Sequence, residues 1–185
     1  MKVGLLMGSF DPIHIGHVAM SVEVLNAGIV DKIFFVPTVQ NPNKSISTSF
    51  ALRCNMIFHA IEELKFNYIS LYPIEKKLTP PYYSYKTLAK IQQEHPDWEL
   101  YLIAGSDVIN SIDKWNHSEE ILSRVKLIGV KRNGEEFKIP VEHSIDMSLN
   151  ISSTYIRKLI KDGKETFPYL CKHNRKFISR RGLYA

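Results

Sequence analysis

Two cysteines, Cys54 and Cys171, are all that the 185 residues contain, and neither lies in a C-x-x-C pair. That excludes a disulfide framework and a cysteine zinc site. No apolar run approaches the roughly 20 residues that a membrane helix needs. The apolar stretch before Gly8 is too short for the core of a secretion signal, so the expected location is the cytoplasm. No Gly-Lys-Ser/Thr closes a phosphate loop, and the first glycines, at 4, 8 and 16, do not form Gly-x-Gly-x-x-Gly. The two commonest phosphate-binding patterns are therefore absent. Internal repeats, low-complexity tracts and an inter-domain linker are also missing. Residues 1–185 read as one domain, with a helical C-terminal part over about 151–185.

What is present is a chain that is 44% hydrophobic and 23% charged, enough for a core of its own. Its 24 Lys and Arg against 19 Asp and Glu give a formal net charge of +5. A basic balance suits nucleic acid, anionic lipid or a small polyanionic substrate. The densest basic cluster is Lys172, Arg175, Lys176, Arg180 and Arg181. Phe177 and Ile178 interrupt it, so it reads as a solvated helix face ahead of a nucleic-acid arm.

Apolar runs at Val3–Met7, Ile33–Val36, Tyr68–Leu71, Trp98–Ala104 and Val125–Val130 read as strands, with a weak sixth element over Ile139–Ile145. Helix-periodic segments alternate with them, among them Ile15–Ala27 and a long helix capped at Ser47–Ser49. In that helix Phe50, Cys54, Ile57, Phe58, Ile61 and Leu64 form the predicted core stripe, with Arg53 one position off it. Strands alternating with helices predict a Rossmann-like, doubly wound parallel sheet, order 3-2-1-4-5, with right-handed crossovers.

Three junctions carry chemistry. Gly8-Ser9-Phe10-Asp11-Pro12 joins the first strand to a helix that opens with His14 and His17. Such a loop offers backbone N–H groups and a helix N-terminus to an anion. The fourth strand repeats this with Gly105-Ser106-Asp107. Strands 1 and 4 are neighbours at the switch point of the predicted order, so both loops would line one crevice. The third junction, Ile151-Ser152-Ser153-Thr154, is a hydroxyl-rich helix start with Arg157 in the first turn. A lone glycine or histidine here is as easily scaffold as site; the convergence of the three points to phosphate.

The run Gly8 to His17 resembles the signature of the nucleotidyltransferase superfamily that carries (His/Thr)-x-Gly-His. Later segments resemble one branch, the nicotinate-nucleotide adenylyltransferases: Asn41-Pro42-Asn43-Lys44, Arg53 with Met56, Thr87-Leu88, Gly105-Ser106-Asp107, Lys114-Trp115, Ile151 to Arg157, and Gly182-Leu183-Tyr184. Pro81-Tyr82-Tyr83-Ser84 stands where the family has Pro-Ser-Tyr-Thr.

The resemblance implies adenylyl transfer from ATP to nicotinate mononucleotide, yielding the deamido dinucleotide of NAD biosynthesis and pyrophosphate. Nicotinamide mononucleotide, pantetheine phosphate or glycerol phosphate are the alternative acceptors, and a nucleotide sensor or nucleic-acid binder the alternative class. His14, His17, Lys44 and Arg157 are implied as catalytic. Gly8, Ser9, Phe10, Gly105, Asp107, Ile151, Ser153, Thr154 and Arg157 would bind ATP; Lys44, Tyr83, Ser84, Trp115 and Asn116 would bind the acceptor. Trp115 has the shape to stack on a pyridine ring, the role the resemblance favours over that of a tryptophan filling core between helices. Mg²⁺ would arrive on the ATP phosphates, with no protein metal cage. Neither a nucleic-acid nor a membrane partner is expected, and a homo-oligomer stays open.

Overall fold

The structure, a computed structural model, describes residues 1–41, 46–132, 135–149 and 151–185. Strand β1 (Lys2–Gly8) lies at the centre of one sheet, because both of its faces are apolar and need cover. Around it run β2 (Lys32–Pro37), β3 (Ile69–Leu71), β4 (Glu99–Gly105), β5 (Lys126–Arg132) and β6 (His143–Met147). The order is β3-β2-β1-β4-β5-β6 and every pairing is parallel. The doubly wound sheet inferred from the sequence is therefore observed, with the weak sixth element as its edge.

Alternation along the strands feeds two cores. Leu6, Ile33, Phe35, Tyr101, Ile103, Ile128 and Val130 face one side. There they meet α1 (Ile15–Asn26), α2 (Phe50–Leu64), α6 (Ser153–Lys161) and α7 (Lys172–Arg181) through Met20, Met56, Ile57, Ile156 and Ile178. Val3, Leu5, Val36, Leu100, Leu102 and Leu127 face the other side. They are covered by α3 (Ser84–Glu94), α4 (Ser106–Ile109) and α5 (Ser118–Arg124) through Leu88, Ile91, Ile109 and Ile121. Among the described residues no helix is long and apolar enough to cross a membrane.

The stripe expected on α2 is rotated. Arg53, Met56, Ile57 and Ala60 are its buried residues, whereas Phe58 is 53% exposed and Cys54 only half-buried. Arg53 turns inward because loop carbonyls wait for it there. The N-cap is Ser49, whose Oγ accepts from Leu52 N–H. The loop after β3 holds a 3₁₀ turn over Ile74–Lys77, with Ile74 and Glu75 buried. After α6 one more helix forms, α7, capped by Gly182 at positive φ.

Candidate nucleotide site

The sheet opens where its order reverses. The β1–β2 ladder runs to Gly8 opposite Pro37, and the β4–β5 ladder to Gly105 opposite Val130. Between β1 and β4, pairing stops at Leu5 opposite Leu102, three residues short of both strand ends. The two central strands part there, and their carboxyl ends flank the crevice in which doubly wound proteins bind ligands.

At the mouth, His14 caps α1 with extended backbone. Its N–H donates to His17 Nδ1 at 3.3 Å, and the two rings stack with centroids 3.7 Å apart. Because Nδ1 accepts, the neutral ring carries its proton on Nε2, the atom that can donate to a phosphate. Phe10, at φ 50°, is buried with its ring edge-on to His17 and Phe35. Its side chain supports the histidine, and only its backbone is left for a ligand.

Gly16, between the histidines, is required by packing. A Cβ there would lie 2.6 Å from Ile151 Cγ2 and 3.0 Å from His14 Nδ1. The glycine thus lets the first turn of α1 approach the segment that opens α6. Two further bonds join the same pieces: Ser153 Oγ donates to Pro12 O at 2.8 Å, and Arg157 Nη1 to Asp11 O at 2.7 Å. Arg157 Nη2 also donates to Thr154 Oγ1 at 3.2 Å. Ile151 is buried, so its side chain packs against Gly16. Ser152 Oγ caps α6 by accepting from Tyr155 N–H.

A buried charged frame lies beneath this loop. Arg53 is fully buried and donates to Ser9 O at 2.6 Å, Val39 O at 3.1 Å and Thr48 O at 3.1 Å. Asp11 accepts from Ser47 N–H and Oγ, at 2.9 and 2.8 Å, and from Tyr184 OH at 2.7 Å. Burial raises the pKa of Asp11, but the bonds from Tyr184, Ser47 and Thr48 outweigh it and hold the group below its ordinary 3.8. Glu75 is the third member, buried and raised by desolvation against its hydrogen bonds. Asp11 and Glu75 had no place among the expected site residues. Each looks solvated in sequence, Glu75 especially, beside Lys76 and Lys77.

The other expected site residues, from the end of β4, the start of α3 and the segment before α5, lie on the opposite face of the sheet. Gly105 caps α4, with Asp107 exposed in its first turn. Ser106 is buried and donates to Glu135 at 2.6 Å. Tyr83 caps α3 and stacks on Tyr85, and Tyr85 meets the His117 ring at 4.1 Å. That contact brings Tyr83–Ser84 beside Trp115–Asn116. Trp115 is half-buried against the core, and Asn116 is exposed. His95 lies flat on Trp98, with centroids 3.6 Å apart. Lys44 lies outside the described residues, with Pro42 and Asn43 of its motif. No group of three His, Cys, Asp or Glu side chains suited to a metal is gathered among the described residues.

A phosphate-ready loop at the switch point, built from amides, imidazoles and a guanidinium, defines a nucleotide-binding protein of the nucleotidyltransferase class. Residues 5–159 match the cytidylyltransferase-like family model. The Bacillus subtilis nicotinate-nucleotide adenylyltransferase is 32% identical over 99% of this chain and 98% of its own. A probable nicotinate-nucleotide adenylyltransferase of Flavobacterium johnsoniae is 33% identical over 100% and 99%. The Plasmodium falciparum nicotinic acid mononucleotide adenylyltransferase, solved in complex with NaAD, superposes with a TM-score of 0.82 over 99% of this chain and 97% of its own, at 24% identity, a likeness of fold. The chain belongs to the nicotinate-nucleotide adenylyltransferase family.

Proposed function

We propose that the protein transfers the adenylyl group of ATP to nicotinate mononucleotide, forming the deamido dinucleotide and releasing pyrophosphate. The observation that carries the reading is the parting of β1 and β4 with the His14–His17 turn at its mouth. The acceptor's nucleophile is a phosphate oxygen, already anionic at neutral pH, so no general base is needed. That oxygen forms the new bond to the α-phosphorus as the bond to the bridging oxygen of pyrophosphate breaks. Catalysis then rests on in-line positioning and on donors aimed at the growing charge.

In this reading His14 and His17 hold the α- and β-phosphates. Ser153, Thr154 and Arg157 hold the β- and γ-phosphates, the guanidinium supplying a planar fork. The backbone of Gly8, Ser9, Phe10, Gly105 and Ile151 lines the nucleotide, and Asp107 accepts from the ribose hydroxyls. Lys44 meets the attacking phosphate or the triphosphate. Tyr83, Ser84, Trp115 and Asn116 hold the pyridine end of the acceptor. Magnesium enters as Mg–ATP, on the substrate's own oxygens.

The test is pyrophosphate release from Mg–ATP with nicotinate or nicotinamide mononucleotide, run in parallel. The nicotinate form is expected to turn over and the amide to lag well behind. Equal rates would remove the carboxylate preference. Silence with both, and release with pantetheine or glycerol phosphate, would refute the acceptor.

A further inference from the structure

Glu75 is a buried carboxylate that the reaction above does not use. It lies in the 3₁₀ turn between β3 and α3, 2% exposed. Its two oxygens serve different segments. Oε2 accepts from Thr38 Oγ1 at 2.8 Å and from Val39 N–H at 2.7 Å. Oε1 accepts from Thr87 Oγ1 at 2.9 Å, and Thr87 is fully buried one turn inside α3. Burying a carboxylate is costly, and an apolar side chain would fill the same space more cheaply. What the carboxylate adds is geometry: charge-assisted bonds fix the loop after β2 against the first turn of α3.

Those two segments share a role in the proposed reaction. The loop over residues 38–41 leads into Lys44, and α3 opens at Tyr83 and Ser84. None of these three bonds reaches the Ser9–His17 loop or α6 directly. Arg53, which donates to both Ser9 O and Val39 O, links the two sides, and the ATP side is otherwise tied by Asp11, Ser153 and Arg157. We propose that Glu75 is a positioning residue for the acceptor mononucleotide, setting the spacing between the loop after β2 and the start of α3 and, through it, the acceptor's KM and the choice between carboxylate and amide rings. The proposal rests on the functional reading above.

The test is steady-state kinetics, varying each substrate in turn, on the wild type, Thr87→Val, Thr87→Ser and Glu75→Gln, with circular dichroism at the assay temperature to establish folding. Thr87→Val keeps the shape and removes one donor to Glu75. The expected result is a rise of about tenfold in the KM for nicotinate mononucleotide, the fold-change of one buried charge-assisted bond, with the KM for ATP within about twofold. Thr87→Ser restores the acceptor KM, because it restores the donor. Glu75→Gln raises the acceptor KM and narrows the preference for the nicotinate over the nicotinamide form. Equal rises for both substrates, no rise for either, or a serine variant no better than valine would overturn the assignment. A wild type inert with nicotinate mononucleotide would overturn the acceptor reading and this assignment together. A wild type that turns it over, with variants shifting both substrates alike, overturns Glu75 alone.

Discussion

Gly16→Ala tests the contact between the first turn of α1 and the segment that opens α6. The added methyl would meet Ile151 Cγ2 at 2.6 Å and the His14 ring at 3.0 Å. Ile151 is buried and leads directly into α6, so it has little room to retreat. Overpacking of this kind costs about 1–3 kcal/mol. Replacing glycine in a helix returns at most about 1 kcal/mol. With that return taken in full, the net expectation is a loss of about 0–2 kcal/mol by urea unfolding. Ile151→Ala alone costs about 2–4 kcal/mol through its cavity. It also removes the Cγ2 that the new methyl would strike. In that background Gly16→Ala becomes neutral or stabilising, giving a coupling of about 1–3 kcal/mol in the double-mutant cycle. Turnover behaves differently. The His14 ring must still yield by a few tenths of an ångström, so kcat stays about tenfold or more below wild type in the double variant. An equal stability cost in both backgrounds would refute the packing account.

His17→Ala removes an Nε2–H donor, so kcat is expected to fall about 10²- to 10³-fold; it also removes the acceptor of the His14 N–H and the edge contact with Phe10, so the melting temperature falls by about 2–4 °C, and near-normal turnover would sink the phosphate role of that ring. Tyr184→Phe deletes one bond to Asp11 and costs about 1–2 kcal/mol at neutral pH. The folded-state pKa of Asp11 is depressed, so its contribution is full above the ordinary 3.8 and is lost as pH falls through the lower folded value. The gap between wild type and Tyr184→Phe in urea titrations should therefore be constant near neutrality and close below about pH 4; a gap that persists in acid would mean the tyrosine acts through packing alone.

The strands were legible because central parallel strands are continuous apolar runs ended by Gly or Pro. β4 differs from its expected span by one residue at each end. The places of the Gly8, Gly105 and Ser152 junctions were legible because glycine, histidine and hydroxyl residues cluster at strand ends and helix starts. Arg53 was not, and the reason is physical. A charged residue in a helix is by default solvated, and what buries this one is the arrival of the Ser9 carbonyl from the loop after β1 and of the Val39 and Thr48 carbonyls from the long connection between β2 and α2. Periodicity within fifteen residues carries no trace of that convergence, so Phe58 was placed inside and Arg53 outside. Glu75 was hidden the same way, since its donors lie at Thr38, Val39 and Thr87.

The bond from Tyr184 to Asp11 spans 173 positions of sequence, and those from Arg157 and Ser153 span 146 and 141. The Gly8–His17 loop emerges long before these three partners, so this part of its bracing is among the last to arrive. Closing such wide loops is entropically costly and slow. A nascent chain can lay down β1, β2 and β3 while the Gly8–His17 loop is still waiting for these three supports. The final shape of that loop thus trails the sheet during synthesis, and a chain stopped before α6 would hold the crevice without the braces that shape it.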